Sequence, residues 1–287
     1  MSYRRRVSPL HAARAGAACA YCLALAIAAL TLSNPLTLGA VTVAVGAAAL
    51  GAGVGHEVRR AALLGLPLAA SIVLVNALVT RDGLTVIFRL GDLPLLGHTD
   101  ITLEATTSGA VLGLRALTLI LCGALYTTAV DPDQVLRLFR RVSFRSALTA
   151  TLATRMVPVL IRDAGRLADA QRCRAGRPPS RVALMRAATS GVLDRALDVA
   201  AALEVRGYGV AHRPPRWRQP YGRHDLEFAA SAVAVVALAA GARVGALAPF
   251  QAYPSLHAPV GGSVLAASIG LLACALLPFA DRQGIER

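Results

Sequence analysis

The sequence predicts an all-α, polytopic membrane protein with about six transmembrane helices and a long cytoplasmic helical hairpin. Three observations carry this prediction. First, 55% of the 287 residues are hydrophobic and only 16% are charged, against about 25% in soluble domains. Second, several apolar runs reach the roughly 20 residues that a helix needs to cross a bilayer core. Third, the charge concentrates in one segment, because residues 131–223 hold 18 arginines and 7 acidic residues.

Four predicted spans precede this polar segment, at approximately residues 15–32, 36–54, 61–80 and 105–130. Asn34 and Pro35 separate the first two spans, since this dipeptide favours a turn. The basic start resembles a signal peptide, but the apolar run after it is long enough to span, so we predict a retained helix. The mixed stretch 81–104 predicts an external loop, with or without a short re-entrant or interfacial element.

The polar segment contains two amphipathic helical patterns. One face of the first pattern is apolar and comprises Leu148, Leu152, Met156, Val159, Leu160 and Leu167. One face of the second comprises Val192, Ala196, Ala200 and Leu203. Arg195 and Asp198 lie three residues apart on the second helix, a spacing that predicts a pair.

Two further spans, at about 228–247 and 262–279, follow the polar segment. The predicted organisation is therefore 1–130 as the N-terminal transmembrane helices, 131–223 as a cytoplasmic helical region and 224–287 as the C-terminal transmembrane helices. Arginine-rich segments remain in the cytoplasm, which predicts a multi-pass protein of the cell inner (plasma) membrane with both termini cytoplasmic. Arg243, near the outer end of the fifth span, is the exception.

The absence of lysine and the scarcity of ionisable residues in the spans limit the activities that this chain can have. All 30 basic residues are arginine, so the lysine of a P-loop is missing, and the chain carries no standard ATP site. A carrier needs polar groups within its spans, whereas these spans are nearly free of ionisable residues, with Arg115 as the main exception. The polar chemistry lies in the hairpin, an arrangement that suits a machine driven by a docked partner. We predict no catalytic residues and no cofactor.

Acidic pairs raise the alternative of an enzyme. Asp194 with Asp198, and Asp131 with Asp133, have spacings that membrane prenyltransferases use to hold magnesium and diphosphate. These acids stand in an arginine-rich setting and lack repeated acid-rich loops, so we do not favour this reading.

The sequence also gives little support for a metal site or a nucleic-acid site. His56 and Glu57 begin a motif that lacks the second histidine of a zinc protease. Cys19 and Cys22 form a CxxC inside an apolar run, without a nearby histidine or a second CxxC. We therefore predict no metal site. The basic linker 212–220 fits contact with an anionic bilayer better than contact with nucleic acid.

The most informative residues end the two amphipathic helices. Gln171 leads into Cys173, Arg174 and Ala175 at the first end, and Val205, Arg206 and Gly207 form the second end, followed by Tyr208 and Gly209. An arginine is favourable at a helix C-terminus and can bind a partner carboxylate through two parallel hydrogen bonds. Arginine and glycine are also common helix caps, but two such ends 32 residues apart favour a docking role.

At these residues the chain resembles the transmembrane T component of energy-coupling factor transporters, the family that includes CbiQ. That family ends two cytoplasmic coupling helices with Ala-Arg-Gly-like motifs. The segment 205–207 matches the second motif well, and 173–175 matches the first loosely. Arg155 and Pro158 resemble the family's Arg-x-x-Pro.

The resemblance implies a non-catalytic subunit. Two cytoplasmic ATPases of the ATP-binding-cassette type would bind the ends that carry Arg174 and Arg206. A membrane-embedded S component would bind a vitamin or metal ion, and ATP-driven motion of the coupling helices would move that component for uptake. A stand-alone secondary transporter is the alternative.

Overall fold

The computed structural model describes residues 6–80, 85–93, 97–139, 144–173, 181–207, 221–244 and 261–281. The chain divides into two compact units. One unit, the membrane unit, comprises Met1–Val135 and Tyr221–Arg287, and the other, the hairpin unit, comprises Leu136–Pro220. Helices dominate the described parts of both units, which confirms the predicted all-α class.

The described part of the membrane unit contains nine helical elements, of which one is a 3₁₀ turn and one is the beginning of α6. Their bounds are α1 Pro9–Ala12, α2 Ala15–Thr31, α3 Pro35–Gly51, α4 Gly55–Val79, α5 Leu103–Ala129, α9 Arg223–Val244, α10 Gly262–Leu276 and the 3₁₀ turn Leu277–Phe279, with α6 at Pro132–Phe139 on the boundary between the units. In the part of the chain that the structure describes, four segments are long and apolar enough to cross a membrane: α4, α5, α9, and α10 with its 3₁₀ turn. The helices α2 and α3 are apolar and 17 residues long, at the short end of the spanning range.

An aromatic cluster forms the centre of the membrane unit's core. The ring of Phe228 lies edge-on to the rings of Tyr21 and Phe279, with centroid distances of 5.2 and 5.3 Å, an arrangement that aromatic pairs prefer. The Tyr21 hydroxyl donates to the Ala275 carbonyl at 2.8 Å. Side chains from α2, α9 and the 3₁₀ turn thus meet at one point, and the α10 backbone satisfies the buried hydroxyl.

Close packing of α4 on α5 depends on glycine. Gly109 and Gly113 form a GxxxG, the spacing that lets two membrane helices approach closely. A Cβ atom on Gly113 would lie 2.9 Å from the Ala69 carbonyl oxygen, and one on Gly109 would lie 3.2 Å from the Val73 carbonyl oxygen. The backbones of α4 and α5 therefore lie in close contact along this stripe.

A β-hairpin occupies much of the stretch predicted as an external loop. Strand β1, Val86–Leu93, pairs antiparallel with β2, Gly97–Thr102. The buried Glu104 carboxylate closes the base of the hairpin, because it accepts hydrogen bonds from the Thr85 backbone N–H at 3.2 Å and from the Thr85 hydroxyl at 2.8 Å. The loop prediction missed this element because its pairing is a contact between segments, and glycine and proline concealed the strand pattern.

Two arginines that stood out in the sequence cap the end of α2. Arg115 on α5 donates to the Leu32 carbonyl at 2.9 Å, and Arg243 on α9 donates to the Thr31 carbonyl at 3.0 Å. The last carbonyls of a helix have no partner within that helix, and cations are favourable at its C-terminal end. Both arginines therefore make structural contacts at this helix end.

A buried carboxylate ties the beginning of α9 to the beginning of α2. Asp225 accepts the Arg14 backbone N–H at 2.6 Å, the Arg14 Nε at 3.2 Å and the Gly222 N–H at 3.0 Å. The Arg14 guanidinium also lies 4.5 Å from the centre of the Tyr221 ring, within the range of a cation–π contact. Asp225 thus holds together two segments more than 200 residues apart in sequence.

The hairpin unit consists of α7, Phe144–Arg172, and α8, Arg181–Val205, after the last residues of α6. On α7 the described members of the predicted apolar face are half-buried. On α8 three members of the predicted apolar face, Val192, Ala196 and Ala200, are exposed, and Leu203 is half-buried. The less exposed stripe of α8 comprises Ala188, Arg195, Val199 and Leu203.

Candidate docking site at the ends of α7 and α8

The end of α7 presents a polar, solvent-exposed turn. The helix ends at Arg172, and the Cys173 N–H donates to the Asp169 carbonyl at 3.1 Å. Arg172 lies 3.5 Å from the Asp169 carboxylate, and both side chains are exposed. Cys173 is exposed and Gln171 is half-buried. The predicted docking residues Arg174 and Ala175 lie outside the described residues, so at this end the structure positions only the residues that precede them.

The end of α8 is described up to Gly207. The Gly207 N–H donates to the Glu204 carbonyl at 2.8 Å, and its φ of +75° lies in the left-handed region. This backbone favours glycine because a Cβ atom is strained there, and it is a common way to end a helix. The motif glycine is therefore explained by local geometry. Tyr208 and Gly209 lie outside the described residues.

The side chains beside Gly207 face solvent. Val205 is 89% exposed, and Arg206 is exposed. Among the described residues Arg206 makes no side-chain hydrogen bond or ion pair. An apolar side chain and a cation thus stand together at this end, a combination that fits a partner surface with an apolar depression and a carboxylate.

Two supporting residues of the prediction lie far from the ends. Arg155 and Pro158 are exposed on α7, and the Pro158 carbonyl accepts a hydrogen bond from Arg162 Nε at 3.2 Å. Fifteen residues separate Pro158 from Cys173, which corresponds to about 22 Å along a helix. The structure therefore places Gln171 and Cys173 together, and it separates Arg155 and Pro158 from them.

An ion pair that the sequence did not predict joins the two helices. Arg195 on α8 lies 2.8 Å from the Asp163 carboxylate on α7, with side-chain exposures of 41% and 32%. The predicted partner Asp198 is exposed, and among the described residues Arg195 forms its ion pair with Asp163 instead. From Asp163 to Cys173 the rise is about 15 Å, and from Arg195 to Arg206 it is about 16 Å. The two helix ends are thus nearly equally far, along their own helices, from one shared contact.

The acidic pairs have local structural settings. Asp131 Oδ1 accepts the Asp133 N–H at 2.9 Å, a hydrogen bond typical of the residue that caps a helix start, here α6. Asp194 and Asp198 are exposed on α8. Within the described ranges no group of three or more histidine, cysteine or acidic side chains is arranged to hold a metal ion.

A multi-pass helical membrane unit joined to a polar helical hairpin is the architecture of a membrane transport component. The chain matches the model of the family described as CbiQ, cobalt transport protein, over residues 6–216. Because this match covers most of the chain, the protein belongs to the CbiQ family, which confirms the predicted resemblance. The match includes α1 to α8 and therefore both helix ends. No curated protein matches the chain.

Proposed function

We propose that this chain is the transmembrane coupling subunit of an energy-coupling-factor type importer. In this proposal residues 131–223 form the cytoplasmic coupling region, the protein lies in the inner (plasma) membrane, and both termini are cytoplasmic. Two ATP-binding-cassette ATPases dock at the helix ends that carry Arg174 and Arg206. The observation that carries the proposal is Arg206, which is exposed at a glycine-terminated helix end and has no side-chain partner among the described residues, in a chain of a transport family.

The α8 end suits a groove on an ATPase. Gly207 lacks a side chain, so a partner backbone can approach the last turn of the helix. The Val205 side chain, which is 89% exposed, gains free energy when it enters an apolar depression. Arg206 then forms a forked hydrogen-bonded pair with a carboxylate. Replacing this arginine with an acid reverses the attraction and leaves two like charges at the contact.

The Asp163–Arg195 ion pair supports transmission of motion. Because it joins α7 to α8 at a point about 15 Å from each docking end, a displacement of one end acts on both helices. The hairpin unit also exposes apolar side chains that a polar, solvated helix pair does not need, namely Val157, Ile161, Val182, Met185, Leu193 and Leu197. We assign these to contact with a membrane-embedded S component, which binds the vitamin or metal ion.

Docking is tested by co-purification with the two ATPases and an S component expressed together. We expect Arg206→Glu, and to a lesser degree Arg174→Glu, to lose the ATPases or to hydrolyse ATP without uptake. Arg137→Glu is the matched control, because Arg137 is an exposed arginine of α6 that lies outside both helix ends. The proposal fails if both variants at the helix ends retain wild-type assembly and uptake.

The same preparation separates the proposal from a stand-alone secondary transporter. The purified chain is reconstituted into liposomes without any ATPase, and uptake of cobalt and other candidate cargoes is measured. A coupling subunit gives no uptake until the ATPases, an S component and ATP are present. Uptake by the chain alone, driven by an ion gradient, is the result expected of a carrier.

A further inference from the structure

Two exposed arginines near the beginning of α4 have no partner among the described residues. Arg59 and Arg60 lie in the second turn of this helix, and both are exposed. The nearest acidic side chain along the helix, Glu57, is already in an ion pair with Arg6. Arg6 also donates to the Gly53 carbonyl. The positive charges of Arg59 and Arg60 are therefore not compensated within the described structure.

The helix that carries these arginines has an exposed apolar surface. Leu63 and Leu64 are 57% and 77% exposed, and only 11% of the most apolar stretch of α4 is buried inside the protein. In a membrane such side chains meet lipid acyl chains. A lipid molecule can therefore lie along the exposed surface of α4.

Helical spacing places the cations directly beside this surface. Leu63 follows Arg59 by four residues and Leu64 follows Arg60 by four, and side chains at this spacing are neighbours about 5–6 Å apart. Helical side chains also lean toward the N-terminus, which is the end of α4 where the apolar run stops and the charged turn begins. The two guanidinium groups therefore lie above the leucines, at the level of lipid headgroups.

We propose that Arg59 and Arg60 bind the phosphate of an anionic phospholipid, whose acyl chains lie against Leu63 and Leu64. A guanidinium donates two parallel hydrogen bonds to phosphate oxygens. A free phosphate uses only the cations, and an acidic soluble protein does not match the leucines. A lipid with an uncompensated headgroup charge matches both, whereas a zwitterionic lipid places its own cation beside the arginines. This inference does not rest on the docking of ATPases.

The test is native mass spectrometry of the full chain released from detergent that contains equal amounts of phosphatidylglycerol and phosphatidylcholine. We expect the wild-type chain to retain phosphatidylglycerol preferentially. The variant Arg59→Gln/Arg60→Gln should reduce that preference by about fivefold for each arginine removed. Arg166→Gln/Arg172→Gln is the matched control, since it removes two exposed arginines that already face acids, and it should keep the preference.

Two results overturn the inference. One is equal retention of the two lipids by the wild-type chain, and the other is an unchanged preference in the Arg59→Gln/Arg60→Gln variant. Addition of inorganic phosphate distinguishes the source of the anion. Phosphate that displaces the bound lipid at low millimolar concentration shows a site for free phosphate and refutes a lipid site, whereas retention of the lipid supports it.

Discussion

Replacing Asp225 with asparagine tests the tie between α9 and α2. The carboxylate uses one oxygen for the Arg14 N–H and the other for Arg14 Nε and the Gly222 N–H. Asparagine has one acceptor oxygen, so in either rotamer at least one of these donors faces an amide NH₂ group. Hydrogen bonds to charged groups contribute about 1.5–3 kcal/mol each. Because the Arg14 side chain is 28% exposed and water replaces part of the loss, we expect destabilisation by about 2–3 kcal/mol.

Thermal unfolding in detergent with a thiol-reactive dye measures this effect. Cys22 and Cys122 are buried and react only when the membrane unit opens, whereas the exposed Cys173 contributes a constant background. We expect the midpoint of Asp225→Asn to fall by about 4–10 °C. Asp194→Asn, at an exposed acid of α8, is the control and should unfold as the wild type does. A midpoint of Asp225→Asn within about 1 °C of wild type would refute a stabilising role for the carboxylate.

Two further predictions concern helix pairs. Gly113→Leu should push α4 away from α5, because even a Cβ atom would lie 2.9 Å from the Ala69 carbonyl oxygen. We expect this variant to lose about 1–3 kcal/mol of stability in the dye assay. Gly123→Leu is the control, because nothing lies within 4 Å of a Cβ atom at that position. Asp163→Arg should impair ATP-coupled uptake more than folding, since a partly exposed pair contributes about 0.5 kcal/mol, and Arg195→Asp in the same chain should restore uptake. Failure of the double variant to recover would contradict a role for the Asp163–Arg195 contact in transmission.

The ionisable residues of the spans bear on the choice between a coupling subunit and a carrier. Arg115 and Arg243 donate to the last carbonyls of α2. Charged groups inside a membrane protein mark a transport pathway when they face a substrate or an ion. Here both arginines face a helix end of the same chain, and their contacts are structural. This arrangement supports a chain in which the cargo is bound by another protein.

The helical membrane class was predictable because it depends on composition and run length. The predicted spans at 61–80 and 105–130 correspond to α4 and α5, and those near 228–247 and 262–279 correspond to α9 and to α10 with its 3₁₀ turn. The boundaries moved by several residues at the beginning of α9, where Asp225 is buried by a contact with Arg14. Hydropathy averaged along the sequence cannot predict a helix boundary that depends on such a contact.

The candidate site was predictable in part. The helix end at Val205, Arg206 and Gly207 follows from residue types alone, since glycine takes the left-handed conformation that ends α8. The partner of Arg195 did not follow. Sequence spacing proposed Asp198, whereas the structure brings Asp163 within 2.8 Å, because spacing along one helix does not encode which side chains a second helix presents.

The sequence by itself determined that the chain is an apolar, multi-span helical protein with a polar arginine-rich hairpin, because hydrophobic run length and charge density are local properties that a bilayer selects directly. Only the tertiary structure decided which side chains contact each other within the chain. It placed Arg243 on the end of α2, Gly113 against the α4 backbone, and Thr85 on Glu104 at the base of the β-hairpin. Each of these contacts joins residues distant in sequence, and their geometry arises only when the helices pack.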